Sequence, residues 1–583
     1  MRRKPAYDIV LFAILMVLLF LPMLQGRFQL IPLKPLHGVT LNAEKPHLDL
    51  ASYRSGTFAK QEEAYLAEHF GFRESVIRLY NQYLWSCYRK TYAHDVTPGK
   101  HGWLYYPQSV SDYYGTELLQ WQPSVEAARH NFDLEVKYMD WTRAILKENG
   151  VELLVFMAPE KGALYPEFLP DGERDTTTFN AREYFEEKFN ETGFPCIEMT
   201  RWFQQMKDTV DYPLIPQTGA HWVFPAVYAA DSLFHYMGAL KGVALPQIKI
   251  GELHESAKHG LDNDLEQLLN LSLPINHRYG FCPRAEVRIE SDTTTVKPKV
   301  LFIGNSYMWN IAYFVPLDEV FDKVEFWYYF STAYSGDSLK ETTPVVDLNI
   351  LEKLLEFDYI VWFNTGNQMN KGTMGFSKTA LLTLCASDSL VQAYTQHIAD
   401  TLTYPCRDAI IRVSTDSLRH QEARAILYNH PELIPELSGD ELPALRNKEI
   451  PYVGILKEIR SDSLWMAALE AQSFVRTATL NQMLHAEADR IREGKPLYKD
   501  NEAEILFGKR CMDEAEQLVL RMPNNEKQMQ AIRQHMEQQG KTLEQTMRDD
   551  AVWLIQRKYG LDRCRLADDP DAEIPLPPDF QSN

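Results

Sequence analysis

The pattern of hydrophobic and polar positions changes along the chain, and each change marks a different kind of structure. Positions 9–24 are apolar almost without interruption. From Glu62 to Tyr88, apolar residues recur three and four positions apart, which predicts an amphipathic helix. Between about residues 100 and 365, short apolar runs typical of buried parallel strands alternate with segments of helical periodicity. Beyond Pro451 the spacing is helical.

The alternating region predicts an α/β fold, with a parallel sheet flanked by helices on both faces. The expected elements, in chain order, are a strand at Trp103–Tyr106, a helix at Ala127–Asn149, a strand at Val151–Ala158, a helix at Tyr184–Phe189, a strand at Phe194–Met199, a helix at Ala226–Met237, and strands at Val300–Ile303 and Tyr359–Phe363. Ligands of such sheets bind beyond the carboxyl ends of the strands. Ser306 and Asn364 both follow strand ends, which makes them candidate site residues.

The amino terminus predicts a membrane anchor. Arg2, Arg3 and Lys4 form a basic cap before the apolar run, and no small-residue cleavage site follows it. We expect an uncleaved signal anchor over residues 1–27, with the basic cap in the cytoplasm and the rest of the chain outside. A cleaved signal peptide is the alternative, and the bulk of the chain is exported in either case. No second apolar stretch of spanning length follows, which excludes a polytopic transporter or channel.

The carboxy-terminal third predicts a helical module with an internal repeat. A pattern in residues 466–488 recurs in residues 529–551 at an offset of 63 positions without a gap, and each copy is expected to form helix, Thr-Leu turn, helix. Two copies are fewer than a solenoid needs, so we interpret them as a paired module. The tail from Ala567 onward is acidic and rich in proline, which is typical of disorder.

Charge and cysteine content narrow the functional classes. The formal net charge of −20 disfavours nucleic acid as a partner, because the chain would repel phosphates. None of the seven cysteines stands in a C-x-x-C pair, so structural zinc and thioredoxin-like chemistry gain no support. His254 and His259 lie near acidic residues, but solvated loop residues explain them better than a metal site. The sequence therefore predicts no cofactor.

Ser306 and His221 are the residues best suited to nucleophilic catalysis. A serine directly after a strand can turn its Oγ and its own N–H toward a pocket, although the same position suits a helix N-cap. His221 lies in the loop Pro216–Trp222 before a helix and could act as the base of the serine, or could be a structural histidine. Asn364 and Asn367 could donate N–H groups to an oxyanion or simply form a turn.

Five segments, in order, resemble the alginate O-acetyltransferase group of SGNH hydrolase-like proteins, the AlgJ/AlgX type. They are the helix at 65–73, the Gly-Lys-His-Gly-Trp-Leu segment within 96–105, the Pro-Glu-Lys segment at 155–161 with its continuation to 170, the His-Trp loop at 217–222, and Gly-Asn-Ser-Tyr at 304–307. The similarity covers about residues 55–380. It implies an SGNH-hydrolase-like domain in which Ser306 is the nucleophile and His221 its base. Tyr307 matches the tyrosine after the nucleophile, which makes it a substrate or oxyanion candidate.

One position departs from the family pattern. The aspartate of the family's catalytic triad lies two residues before the histidine, where this chain has Gly219. Loss of that acid can cost about 10⁴-fold in rate. Three alternatives remain open: Asp262 or Asp264 substitutes for it, a Ser–His dyad suffices, or the domain is inactive.

The resemblance implies an O-acyl transferase, with O-acetyl expected, or an esterase acting on an exported polysaccharide. A membrane-bound O-acyltransferase would supply the acyl group, and the protein would be anchored in the inner membrane facing the periplasm. The rival hypothesis is a catalytically inactive glycan-binding or scaffold subunit. The expected organisation is an anchor at 1–27, a linker at 28–54, the SGNH-hydrolase-like domain at 55–400, a connecting segment at 401–450, the helical module at 451–566 and the tail at 567–583.

Overall fold

The structure is a computed structural model that describes residues 5–38, 43–255, 260–385, 450–539 and 542–580. The predicted connecting segment 401–450 lies outside the described residues except for position 450. Within these ranges the chain forms two compact units, one of residues 5–348 and 357–381 and one of residues 349–356, 382–385 and 450–580.

The described residues form eleven strands in three sheets. The strands are β1 Thr97–Pro98, β2 Leu104–Tyr105, β3 Glu152–Ala158, β4 Cys196–Glu198, β5 Gln247–Ile250, β6 Val287–Glu290, β7 Lys299–Gly304, β8 Lys323–Tyr328, β9 Thr332–Ser335, β10 Glu341–Pro344 and β11 Tyr359–Thr365.

Helices surround and follow these strands. In the first unit they are α1 Pro5–Phe28, α2 Leu50–Ser55, α3 Thr57–Glu68, α4 Arg73–Tyr88, α5 Pro107–Tyr113, α6 Leu118–Trp121, α7 Val125–Glu148, α8 Lys161–Leu164, α9 Ala181–Thr192, α10 Thr200–Lys207, α11 Pro225–Lys241, α12 Asp264–Leu268, α13 Tyr307–Phe314 and α14 Leu317–Val320. Next come α15 Ile350–Glu356, α16 Phe376–Cys385, α17 Ile450–Ser461, α18 Ser463–Val475, α19 Leu480–Glu493, α20 Glu502–Arg521, α21 Glu526–Gln539 and α22 Leu543–Lys558.

A seven-stranded sheet forms the centre of the first unit, in the order β10-β9-β8-β7-β11-β3-β4. The five strands from β8 to β4 run parallel, and β9 and β10 are antiparallel to their neighbours. The predicted α/β fold is confirmed, but the expected all-parallel sheet is in fact mixed. The polar, short β9 and β10 lack the continuous apolar runs by which buried strands are recognised, so the sequence did not indicate them.

The turn after β7 depends on a close approach between strands. A Cβ at Gly304 would overlap the carbonyl oxygen of Phe363 in the neighbouring β11. Glycine therefore allows β7 and β11 to stay paired up to the residue before Asn305 and Ser306. This arrangement brings Ser306 to the carboxyl edge of the sheet, as the sequence predicted.

The predicted helix over Glu62–Tyr88 is two helices in the structure. α3 ends at Glu68 and α4 begins at Arg73, with a corner between them where Phe72 has φ +66°. Gly71 at this corner packs against α1, where a Cβ would overlap the carbonyl oxygen of Pro22. A helix passing straight through residues 69–72 could not make this close backbone contact.

The internal repeat appears in the second unit as two helix pairs. α18 and α19 form the first copy, and α21 and α22 form the second. Thr479 and Thr542 occupy the same N-cap position in the two copies, and each forms a reciprocal capping box with the Gln three residues later. The tail residues up to Phe580 are described, and Ile574 and Phe580 pack onto the helices rather than extending into solvent as expected.

Candidate active site

Ser306 directs its hydroxyl at a histidine rather than at its own helix. It is the N-cap residue of α13, but its side chain makes no capping hydrogen bond. Its Oγ lies 2.7 Å from Nε2 of His221. The structural alternative for this serine, a simple helix cap, therefore does not describe its contacts.

Asp264 lies on the other side of His221. Its Oδ2 is 2.6 Å from Nδ1 of the imidazole. Because a carboxylate only accepts hydrogen bonds, Nδ1 carries the proton and Nε2 is left to accept from the Ser306 hydroxyl. The backbone N–H groups of Ala220 and Leu265 both donate to Oδ1 of Asp264 at 2.8 Å, which fixes the orientation of the carboxylate.

The two acids proposed from the sequence have different surroundings. Asp262 is fully buried and forms an ion pair with Arg284 at 2.6 Å. Asp264, two residues later, faces His221. A Cβ at Gly219 would stand 3.3 Å from Oδ1 of Asp264, so the carboxylate of Asp264 occupies the space beside the position where the family has its aspartate.

A buried lysine holds the loop 216–222, which we call the His loop. The Lys161 ammonium donates to the carbonyl oxygens of Pro216 at 2.6 Å, Gln217 at 3.0 Å and Gly219 at 2.5 Å. Its nitrogen also lies 2.7 Å from the carbonyl oxygen of Leu104 in β2, so its three N–H bonds are shared among four carbonyl oxygens. Burial lowers the pKa of Lys161 well below its usual range, and the charge of Asp264 opposes that shift. One ammonium thus fixes both backbone ends of the turn that precedes His221.

Two aromatic residues join the His loop to the serine helix. The hydroxyl of Tyr307 donates to the carbonyl oxygen of Ala220 at 2.7 Å. In return, Nε1 of Trp222 donates to the carbonyl oxygen of Tyr307 at 3.0 Å. Both side chains are buried, and the hydroxyl hydrogen of Tyr307 is engaged in this contact. Tyr307, a substrate or oxyanion candidate from the sequence, thus positions His221 against Ser306.

The asparagine candidates lie on different sides of β11. Successive strand residues face opposite ways, so Asn364 is on the other face from Thr365 and does not line the described cavity at Ser306. Asn367 does line it. Nδ2 of Asn305 donates to Thr365 Oγ1, which donates to Oδ1 of Asn367, each at 2.7 Å. These hydrogen bonds occupy the side-chain oxygen of Asn367, so its amide nitrogen is the group that can donate to a ligand.

The cavity beside Ser306 has a volume of about 50 Å³ and mixes polar groups with aromatic walls. Its lining includes Tyr106, Tyr329 and the carboxyl group of Glu160. Oε1 of Glu160 accepts from the Gly162 N–H at 3.0 Å and from the hydroxyl of Ser109. Burial, and then the nearby charge of Asp112, raise the pKa of Glu160 well above its usual range. The pocket can therefore hold this carboxyl in its neutral form.

Sequence reasoning did not assign roles to Lys161, Glu160 or Thr365. Glu160 and Lys161 follow the buried strand β3 directly, a placement that could have suggested site residues, just as it did for Ser306. Among the described residues, no three His, Cys, Asp or Glu side chains converge as metal ligands would. His254 pairs through its backbone with Arg284, and His259 lies outside the described residues.

At the carboxyl edge of the mixed sheet, Ser306 meets His221 and Asp264 in the hydrogen-bonded order serine, histidine, aspartate, the arrangement that characterises hydrolase-like acyl-transfer sites. Residues 96–316 match a family model described as the SGNH hydrolase-like domain of the acetyltransferase AlgX. Ser306, His221 and Asp264 all fall within this segment. This match agrees with the resemblance to AlgJ/AlgX-type SGNH hydrolase-like proteins that the sequence motifs predicted.

Comparison with solved structures gives distant similarities. The O-acetyltransferase domain of Pseudomonas putida AlgJ is 14% identical, with 47% of this chain and 92% of that chain covered and a TM-score of 0.30. Pseudomonas aeruginosa AlgX is also 14% identical, covering 48% and 67% with a TM-score of 0.31. Bacillus cereus PatB1 is 12% identical, covering 48% and 98% with a TM-score of 0.27. No curated protein matches the chain.

Proposed function

We propose that this protein transfers an acyl group, acetyl by preference, to hydroxyl groups of an exported polysaccharide through an acyl-enzyme on Ser306. The observation that carries the proposal is the continuous hydrogen-bonded chain from Ser306 through His221 to Asp264, with contacts of 2.7 and 2.6 Å. The small cavity supports a short acyl group, because about 50 Å³ beside the serine leaves little room for a long chain.

In the first half-reaction Ser306 is acylated. Nε2 of His221 removes the hydroxyl proton as Oγ attacks the carbonyl carbon of the donor, and Asp264 stabilises the imidazolium that forms. We assign the oxyanion to the backbone N–H of Ser306 and the side-chain amide of Asn367. Collapse of the tetrahedral intermediate breaks the bond to the leaving group, which receives the proton from His221.

In the second half-reaction the acyl group moves to the acceptor. A sugar hydroxyl enters beside Ser306, and His221 removes its proton as the oxygen attacks the acyl-enzyme. The bond to Oγ then breaks, and His221 returns the proton to Ser306. If water replaces the sugar, the same steps give an esterase, so the acceptor decides between the two activities.

The amino-terminal helix supports a location at a membrane. The segment Ile9–Phe28 of α1 is long and apolar enough to cross a bilayer, and almost all of it is exposed on the surface of the protein. We propose that α1 anchors the protein in the inner membrane, with the catalytic domain in the periplasm. A membrane-bound O-acyltransferase is the acyl supplier that this placement favours.

The decisive experiment tests whether Ser306 becomes acylated. The purified full chain in detergent is incubated with p-nitrophenyl acetate, and its intact mass is measured. We expect an increase equal to one acetyl group, which Ser306→Ala abolishes without unfolding the protein. Ser331→Ala is the matched control, because Ser331 is an exposed serine at the same edge of the sheet and binds only the Tyr328 carbonyl.

Turnover or an adduct in folded Ser306→Ala protein would contradict the proposal. An absence of both in the wild-type protein would favour the rival scaffold function, which rested mainly on the missing family aspartate at Gly219. A glycan-binding groove in the scaffold hypothesis would draw on the aromatic residues that surround Ser306 in the sequence, namely Tyr307, Trp309, Trp327, Tyr328 and Tyr329, and their packing gives it little support. Trp327 is fully buried, and Trp309 packs against Phe326 and Tyr334.

A further inference from the structure

The outer face of α4 carries apolar residues where a water-exposed helix would carry polar ones. Val76, Leu79, Tyr80 and Tyr83 follow the spacing of a single helical stripe, and all four are exposed. Leu79 is 64% exposed and Tyr83 is 52% exposed. Phe70, at the corner before α4, is exposed as well. Such a continuous patch marks a surface that something apolar covers.

The inner face of the same helix is firmly attached to the domain. Trp85 lies in a buried cluster with Ala220 and Leu265. Nδ2 of Asn81 donates to the carbonyl oxygen of Leu269 at 2.8 Å, and Oε1 of Gln82 accepts from the Leu273 N–H at 2.8 Å. The apolar outer stripe is therefore not a core face turned outward by loose packing, because the opposite face already packs on the domain.

The α3–α4 corner lies at the depth of the membrane-spanning segment. Gly71 packs against the backbone of Pro22 and Gly26, with no room for a side chain. Both of these residues belong to the apolar segment Ile9–Phe28. A corner that touches the last two turns of a membrane-spanning helix must itself lie at the boundary between lipid and water.

The local charge and residue types fit that boundary. Residues 70–92 contain four basic side chains and one acidic one, in a chain whose net charge is −20. Basic residues are attracted to anionic headgroups, and tyrosine favours the interface because its ring is apolar and its hydroxyl is polar. Helices that lie in the interface bury an apolar face and keep basic residues beside the headgroups.

We propose that the face of α4 formed by Val76, Leu79, Tyr80 and Tyr83 rests on the lipid surface of the membrane that α1 crosses. The inference depends on the proposed anchoring by α1 and does not depend on the acyl-transfer chemistry. α1 holds the chain in the bilayer, and α4 lays one side of the catalytic domain against it.

Photocrosslinking of the full chain tests this placement. The photoreactive residue p-benzoylphenylalanine replaces Tyr83 in protein reconstituted alone into nanodiscs of phosphatidylethanolamine and phosphatidylglycerol, and lipid adducts are measured by mass spectrometry. We expect at least about fivefold more adduct than when the same residue replaces Tyr313, which is equally exposed but outside the stripe. Replacement of Leu79 provides a second probe if the Tyr83 variant fails to fold.

Replacement of Leu15 in α1 separates the two proposals. If Leu15 gives lipid adducts while positions 79 and 83 give no more than position 313, the anchor stands and the proposed contact of α4 is overturned. If Leu15 also gives none, the anchor itself is overturned. Adducts at 79 or 83 well above the position 313 control support the contact, because no other protein is present to cover the stripe.

Discussion

At the scale of single residues, the site combines a histidine from a loop and an acid from the start of α12, 43 positions apart in the chain. Gly219 leaves open the space in which the carboxylate of Asp264 lies, and two backbone N–H groups hold that carboxylate in place. The pattern Thr-Gly-Ala-His therefore does not by itself indicate a defective site. The pattern lacks an aspartate because the acid that contacts the imidazole, Asp264, comes from another segment of the chain.

The two nearby aspartates provide a matched test of this arrangement. Asp264→Asn should slow Ser306 acylation by up to about 10⁴-fold with little change in stability, because it disfavours the required histidine tautomer. Asp262→Asn should instead lower the free energy of unfolding, because it weakens the ion pair of a mostly buried Arg284. Acylation rates and urea unfolding of both variants distinguish the two roles; equal acylation rates would rule out Asp264 as the acid.

A double variant tests whether an acid at position 219, where the family has its aspartate, can replace Asp264. Asp264→Ala removes the carboxylate that would stand 3.3 Å from a Cβ at position 219, while the Asp262 carbonyl oxygen, at 3.1 Å, would have to shift by a few tenths of an ångström. Adding Gly219→Asp to it should recover at least about tenfold of the lost acylation rate, since the new carboxylate approaches His221 from the family's position. Gly219→Asp alone is the control, because in it the new carboxylate must share the space beside His221 with the carboxylate of Asp264. A double variant no faster than Asp264→Ala would show that the backbone cannot orient an acid there.

Glu160 should make stability depend on pH. Its folded-state pKa lies above that of the unfolded chain, so its stabilising contribution is complete below about pH 4 and is lost as pH rises through the folded-state pKa. Glu160→Gln keeps an oxygen acceptor for Gly162 but removes the charge. We expect urea unfolding at pH 5 and pH 8 to show that the variant loses less stability than the wild type over this range. Parallel losses would contradict this account.

At the scale of elements, one ammonium stabilises the path of the His loop. Lys161→Met would leave four carbonyl oxygens without their buried donor, at a cost of about 3–5 kcal/mol in the free energy of unfolding. Acylation should slow as well, because the loop positions His221. Urea unfolding and acylation rates of Lys161→Met check both effects. Lys188→Met is the control, because Lys188 is half-buried and its ion pair with Glu191 lies on the surface. Unchanged stability would contradict the role assigned to Lys161.

The sequence predicted the secondary-structure elements better than it predicted the contacts between them. The buried strands β3, β7 and β11 were evident because continuous apolar runs mark strands covered on both faces. The Thr479 and Thr542 turns were evident because capping is local. The break at Gly71 and the choice of Asp264 over Asp262 depend on contacts across many residues, which periodicity does not encode. The face of the sheet on which Asn364 lies depends on where β11 ends. The sequence predicted an end at Phe363, two residues before the observed end at Thr365.

At the scale of the whole molecule, residues 70–92, which include α4, carry four basic side chains and one acidic one, while the overall charge of the chain is strongly negative. A negatively charged body is repelled by anionic lipid, so on the proposed placement the basic residues in and next to α4 would favour the approach of this side of the domain to the membrane. The photocrosslinking comparison of positions 83 and 313 measures this orientation directly. The predicted domain boundaries stay a prediction, since the segment between residues 386 and 449 lies outside the described structure.

If the protein acts on an emerging polysaccharide as proposed, the cluster around Trp85 has a consequence for when that polymer is modified. Ala220 and Leu265 stand directly beside His221 and Asp264 in the chain, and both share that cluster with the inner face of α4. On the proposed placement, the reaction centre is separated from lipid by little more than one helix diameter, about 10 Å. Acyl transfer is then confined to a thin layer above the bilayer. A glycan strand would be acylated only while it emerges from the membrane. The distance between acyl groups along the strand would then depend on how fast the strand is extruded.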